Sequence, residues 1–254
     1  MTNPILETKN LGIDFGGLTA VNNLSLYVNA GEIVGLIGPN GAGKTTVFNL
    51  ITKVYEPTRG CVTLCGVDLK KSNVVSANIA GIARTFQNIR LFNNISVLDN
   101  VKAAMNNQFD YSVFDALLHT KKYRDNEKKI EDKANELLEI FNLIDAKDQL
   151  ASSLSYGSQR RLEIARALAT NPKLLLLDEP AAGMNPQETE ELMNTIKLIR
   201  NKFKIAIMLI EHDMNLVMNI CERIYVLNYG MLLANGTPEE IKNNDKVIKA
   251  YLGE

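Results

Sequence analysis

Three runs, Ile33–Ile37, Leu174–Leu177 and Ala206–Ile210, consist almost entirely of Val, Ile, Leu, Met and Ala. A strand with one wet face alternates apolar and polar residues, so unbroken apolar runs predict parallel strands buried on both faces. Segments with helical spacing separate them, which places the chain in the α/β class with a mainly parallel sheet. Ahead of the first run, a Gly16-Gly17 turn and the strand-like Tyr27-Val28 predict an N-terminal β part. Between Asn88 and Ser153 the texture changes. Across Asn126–Phe141, Ile130, Ala134, Leu137, Leu138 and Phe141 recur at helical spacing among charged residues, predicting a helical subdomain inserted into the α/β core. A small helical pattern follows Pro238 and ends at Tyr251-Leu252-Gly253-Glu254, and no internal repeat is visible.

Composition narrows the partners. A chain of 254 residues, 46% hydrophobic and 22% charged, is globular and long enough to bury about 70% of the surface its unfolded form exposes. With 28 basic against 29 acidic residues the net charge is −1, which argues against nucleic acid as a partner. Cys61, Cys65 and Cys221 are odd in number, and the segment Met1–Glu7 does not read as a signal peptide, so a reducing cytosol is expected. Cys61 and Cys65 lie at the ends of an apolar, strand-like run and are expected to pack rather than to bind metal. Apolar stretches such as Ile205–Ile210 fall far short of the roughly 20 residues that cross a bilayer, so contact with a membrane is expected to go through another protein.

The chemistry begins at Gly38-Pro39-Asn40-Gly41-Ala42-Gly43-Lys44-Thr45, a phosphate loop between an apolar strand and the helical pattern Thr46–Ile51. Its glycines let successive N–H groups turn inward, and the following helix adds its unpaired N–H groups. Lys44 is expected to reach the β- and γ-phosphates of a nucleoside triphosphate, and Thr45 to offer its hydroxyl to Mg²⁺. The second run carries Asp178-Glu179-Pro180 to the carboxyl edge of the sheet. Asp178 suits the magnesium side, and Glu179 suits orienting the attacking water as general base, although a glutamate here can also simply open a loop. The third run delivers Glu211-His212-Asp213. A lone histidine after a strand is ordinarily structural, but convergence with the two other motifs points His212 at the γ-phosphate. His119 has no such company and is expected on an exposed helix or loop.

A phosphate loop alone leaves kinases, GTPases and helicases open. Leu154-Ser155-Tyr156-Gly157-Ser158-Gln159 precedes the amphipathic run Arg160–Ala169 and reads either as a simple capped helix or as a second anion site. The order of phosphate loop, Gln87, this serine-glycine segment, Asp178-Glu179 and His212 resembles the ATP-binding cassette of ABC transporters over essentially the whole chain.

The resemblance implies an ABC-type P-loop NTPase core with an N-terminal antiparallel β part, residues 1–87 and 166–254, and a helical signature subdomain at 88–165. It implies ATP and Mg²⁺ as ligands, with Phe15 stacking on adenine and the loop from Gly38 to Thr46 cradling phosphates. Thr45, Gln87 and Asp178 would serve the metal, Glu179, His212 and Lys44 catalysis, and Ser155 and Gly157 the nucleotide of a partner cassette. The other partners implied are transmembrane permease subunits and, indirectly, a substrate-binding protein, with the chain peripheral on the inner face of the cell membrane. Three positions depart from the common pattern: Tyr156 for the first signature glycine, Ser158 for the glutamine, and Asn185 for an aspartate. Tyr156, the runs Arg160–Arg166 and Ala181–Pro186, Gly16–Val21 and the terminal Tyr251-Leu252-Gly253 look like the ATPases of branched-chain amino-acid transporters. The rival expectations are an ATPase of a lipid or lipopolysaccharide exporter and a non-transport, ATP-gated clamp.

Overall fold

The computed structural model describes residues 4–105 and 113–252. Met1–Asn3, Gly253 and Glu254, on which parts of the expectations from sequence rest, lie outside them. β1 (Leu6–Phe15) and β2 (Leu18–Val28) pair antiparallel through a turn in which Gly16 and Gly17 both take positive φ, at 51° and 93°. The β part seen at Tyr27-Val28 therefore extends back to Leu18. β3 (Ile33–Ile37) leads into α1 (Lys44–Ile51), and β4 (Arg59–Leu64) and β5 (Val67–Asp68) complete a four-stranded sheet of order β2-β1-β4-β5. After α2 (Val74–Ala80) and β6 (Ile82–Arg84) come the helices of the middle region: α3 (Val97–Ala103), α4 (Val113–Leu117), α5 (Lys121–Ile140) and α6 (Tyr156–Ala169). The chain then alternates β7 (Leu174–Asp178), α7 (Pro186–Phe203), β8 (Ala206–Ile210), α8 (Met214–Ile220), β9 (Arg223–Asn228) and β10 (Met231–Gly236), ending in α9 (Pro238–Lys242) and α10 (Asp245–Leu252).

The second sheet has the order β10-β9-β3-β8-β7-β6, parallel from β9 to β6 with β10 antiparallel at one edge. Its three central strands are the three apolar runs, and their side chains divide between two cores. Val34, Leu36, Leu174, Leu176, Met208 and Ile210 face α1 and the antiparallel sheet, where Leu6, Leu24, Phe48 and Leu50 meet them. Ile33, Ile37, Leu175, Leu177, Ile207 and Leu209 face the other way, among Val101, Leu137, Leu138, Leu162 and Ile196 of the helices. Both faces are dry, which is why these strands show no alternation. α5 buries Ile130, Ala134, Leu137 and Leu138 as their spacing predicts, and it starts earlier than Asn126 because Thr120 caps it by accepting from the Tyr123 N–H.

The cysteines correct the sequence reading. Cys65 is exposed in the turn after β4, with a φ of 49°, and Cys61 is only half-buried. The β4 run ends at Leu64, so Cys65 belongs to the turn and not to the strand. His119 lies exposed between α4 and α5, its ring edge-on to Tyr123 at 5.4 Å.

Candidate active site

The three central parallel strands end at one sheet edge, and each gives way there to a loop that carries a chemical group. After β3, Gly38 has φ 149° and no room for a side chain, since a Cβ would run into the Leu227 carbonyl oxygen. Gly43, at φ 97°, caps α1 where a Cβ would lie 2.8 Å from the Ala20 oxygen. The loop is also tied to the turn after β9, where Gly230 donates to Ala42 O at 3.0 Å and is itself held to β2 by accepting from Asn22 N–H at 2.8 Å. α1 is anchored by Val47, Phe48, Leu50 and Ile51, so its first turn, Lys44 to Thr46, faces a cavity of about 540 Å³. Asn40, Gly41, Ala42 and Gly43 line that cavity, together with Gln87, Glu179, His212 and, at its mouth, Leu18 and Tyr229.

Lys44 is buried and folded onto its own loop, its Nζ donating to Gly38 O at 2.6 Å and Pro39 O at 3.0 Å. Burial pushes its ammonium below the ordinary lysine value, partly offset by the carboxylates of Glu179 and Asp178. Glu179 follows β7 in the left-handed region, at φ 49°, a conformation that costs a non-glycine residue free energy and clusters at functional sites. Its Oε2 accepts from Gln87 Nε2 at 3.0 Å and its Oε1 meets His212 Nε2 at 3.0 Å. Three residues singled out from separate stretches of sequence thus hold one another. Asp178, one residue earlier, is buried and pairs with Arg84 at 2.6 Å.

Other expected residues lie apart. Ser155 is exposed and caps α6, accepting from the Ser158 N–H at 3.3 Å, and neither it nor Gly157 lines the cavity. Phe15 is also outside the lining, set edge-on against Tyr55 at 5.3 Å. Among the described residues no cluster of three or more His, Cys, Asp and Glu forms a metal cage. Thr45 and Gln87 line the cavity with the hard oxygen donors that suit Mg²⁺ completed by phosphate and water, whereas the carboxylate of Asp178 lies behind that lining with one oxygen held by Arg84.

Residues 21–182 match the ABC transporter family, and residues 231–254 match a family described as branched-chain amino acid ATP-binding cassette transporter. The high-affinity branched-chain amino acid transport ATP-binding protein LivG of Salmonella typhimurium is 50% identical over 254 residues, covering all of both chains. This chain belongs to the ATP-binding cassettes of ABC transporters. The lipopolysaccharide export ATP-binding protein LptB of Escherichia coli is more distant, 37% identical over 98% of this chain and 97% of its own. A crystal structure of an ABC transporter's ATP-binding cassette in its ADP conformation superposes with a TM-score of 0.86 at 32% identity, covering all of both chains. The cassette is accordingly an α/β P-loop ATPase.

Sequence reasoning missed the residues that support the cassette's site. Arg160, within a run read as amphipathic, is wholly buried: it donates to the Phe86 carbonyl and, at 2.7 Å, to the Gln87 carbonyl, and pairs with Glu163 at 2.9 Å. Glu163 in turn accepts from the Phe86 and Arg90 N–H groups. The loop carrying Gln87 is thus fastened to the helix that Ser155 caps. Glu211 is buried, its carboxyl raised by that burial, and it accepts from Ala181 N–H at 2.7 Å, His212 N–H at 2.9 Å and Asp213 N–H at 3.3 Å. A usable signal existed for Glu211, a charge at the end of an unbroken apolar run that needs a partner, but not for Arg160, which stands between Gln159 and Arg161. The three departures have local partners too: Tyr156 packs on Gly183, Ser158 shares a hydroxyl bond with Ser155, and Asn185 caps α7 in a reciprocal box with Glu188.

Proposed function

We propose that the cassette hydrolyses ATP with Mg²⁺ to drive import of branched-chain amino acids, working as one half of a nucleotide-sandwich dimer docked on transmembrane permease subunits. The observation that carries the catalytic reading is the double hold on Glu179, by Gln87 on one oxygen and His212 on the other. A general base must be aimed before its pKa matters, and these two bonds aim it into the phosphate-loop cavity. Lys44 exchanges its loop carbonyls for the β- and γ-phosphates, and the N–H groups of the loop from Gly38 to Thr46 cradle the same oxygens. Thr45, Gln87 and Asp178 would hold Mg²⁺, which supplies charge neutralisation across the phosphates. Glu179 orients and deprotonates the attacking water, and His212 contacts the γ-phosphate.

Ser155, exposed at the start of α6 and outside the cavity, is offered to the nucleotide of the opposing cassette; Gly157 is buried against Glu188 and would add only its backbone beside it. The branched-chain reading rests on the 50% identity to LivG over the full chain and on the family match at residues 231–254. Among the described residues no helix is long and apolar enough to cross a membrane, so the membrane step falls to partner subunits. A substrate-binding protein would deliver the cargo to those permeases.

Glu179→Gln tests the chemistry. The variant should still bind ATP while phosphate release falls by about a hundredfold or more. Steady-state hydrolysis at the wild-type rate would remove Glu179 from its role. Reconstitution with branched-chain permeases, with uptake measured against export of lipopolysaccharide, separates the import reading from the export reading that LptB represents.

A further inference from the structure

Arg84 ends β6, and its side chain is only 6% exposed. One guanidinium nitrogen donates to Asp178 Oδ2 at 2.6 Å and another to Asn49 Oδ1, on α1, also at 2.6 Å. The rings of Phe48 and Phe86 stand 5.4 and 5.1 Å from the guanidinium carbon and help to keep water from it. β6 runs parallel beside β7 with Arg84 opposite Leu176, so the guanidinium reaches forward along the sheet to the carboxylate that ends the neighbouring strand. Asp178 is itself 3% exposed at its side chain. A carboxylate buried this far is costly without a counter-charge, and the pair leaves it neutralised.

We propose that Arg84 is a positioning residue that sets the magnesium dependence of nucleotide binding. It is the counter-ion of Asp178 in the absence of magnesium nucleotide, and it shares that carboxylate with the metal once Mg²⁺ and nucleotide are bound. The inference rests on reading Asp178 as the magnesium-side carboxylate. Two cations on one carboxylate repel, so the buried guanidinium holds the affinity for Mg²⁺ below what the bare carboxylate would give. Through Asn49 the same group ties this balance to α1, whose first turn carries Lys44 and Thr45. The plainer alternative is a structural clasp between β6 and β7 with no bearing on the metal.

Thermal unfolding of the full chain separates the two. Wild type and Arg84→Met are compared without nucleotide, with a non-hydrolysable ATP analogue in EDTA, and with the analogue over a Mg²⁺ titration. The expected result is a lower Tm for Arg84→Met without nucleotide, a larger Mg²⁺-specific gain in Tm than wild type shows, and a half-saturating Mg²⁺ concentration lower by about fivefold or more. A Tm lowered equally in all three conditions, with half-saturation unmoved, or a lost Mg²⁺ response, overturns the proposal. Should Arg84→Met fail to fold, Arg84→Gln, which keeps a donor for Asp178 but no charge, carries the same expectation. Asp178→Asn isolates the underlying reading: wild-type half-saturation in that variant means Asp178 does not serve the metal. If it does serve the metal, adding Arg84→Met to Asp178→Asn should shift half-saturation no further, and a further shift counts against the proposal.

Discussion

Lys44 shows how one residue can be both buried and charged. Its Nζ has two carbonyl acceptors in the loop, and burial still pushes its ammonium below the ordinary value of 10.5. With the folded value depressed, the group contributes stability that is present above the unfolded value and lost as pH falls through the folded one. Phosphate oxygens beside the ammonium act in the opposite direction and raise its value again. Proton uptake on binding an ATP analogue should therefore grow as pH rises from neutrality toward the ordinary lysine value. Calorimetric titration in two buffers of different ionisation enthalpy reads this directly, and a difference in heat between the buffers that does not change with pH would count against it. The effect should disappear in Lys44→Ala.

At the scale of elements, the site depends on how α6 is fastened to the loop after β6. The Arg160–Glu163 pair is buried at both ends, 0% and 2% exposed, and every bond it makes to backbone runs to residues 86, 87 and 90. Arg160→Met leaves Glu163 buried without its cation and should cost about 3–5 kcal/mol, visible as a lower denaturant midpoint. Arg160→Met with Glu163→Leu should recover part of that loss, because no unpaired charge then remains. A single variant as stable as wild type would mean that water reaches Glu163. This pair also marks where the sequence stops being legible. The helix could be read from Ser155 and the spacing after it, but a 3.6-residue pattern places arginines on a wet face. It does not show that two orphan carbonyls, Phe86 and Gln87, lie under one of them. The parallel strands were readable for the opposite reason: their neighbours on both faces are apolar, so the pattern is complete within each run. Lys44, Glu179 and His212 were readable because each follows such a strand. Phe15 was singled out by resemblance alone, and its contact with Tyr55, far along the chain, has no periodicity to announce it.

For the whole molecule, the cavity holds the lysine loop and Glu179, while Ser155 faces outward from another part of the surface. A second cassette is what would bring such a serine to the nucleotide. Sedimentation of Glu179→Gln with ATP and Mg²⁺ should show a dimer that is absent without nucleotide. A persistent monomer would direct attention to a different partner cassette, and to Ser158, whose hydroxyl engages both Ser155 and Arg161. The bond between Glu211 and three N–H groups has a consequence for how such chains can change over time. One carboxylate measures the gap between the turn after β7 and the turn after β8, reaching Ala181 on one side and His212 and Asp213 on the other. Glutamine would bring donors to donors, and aspartate would fall short. Ala181 and Asp213 meet that carboxylate through backbone N–H groups, which any residue but proline supplies, so their side chains can change while Glu211 and His212 cannot; an insertion or deletion between Ile210 and Asp213 would leave the gauge measuring the wrong distance. Lineages of this cassette should therefore stay constant in length there.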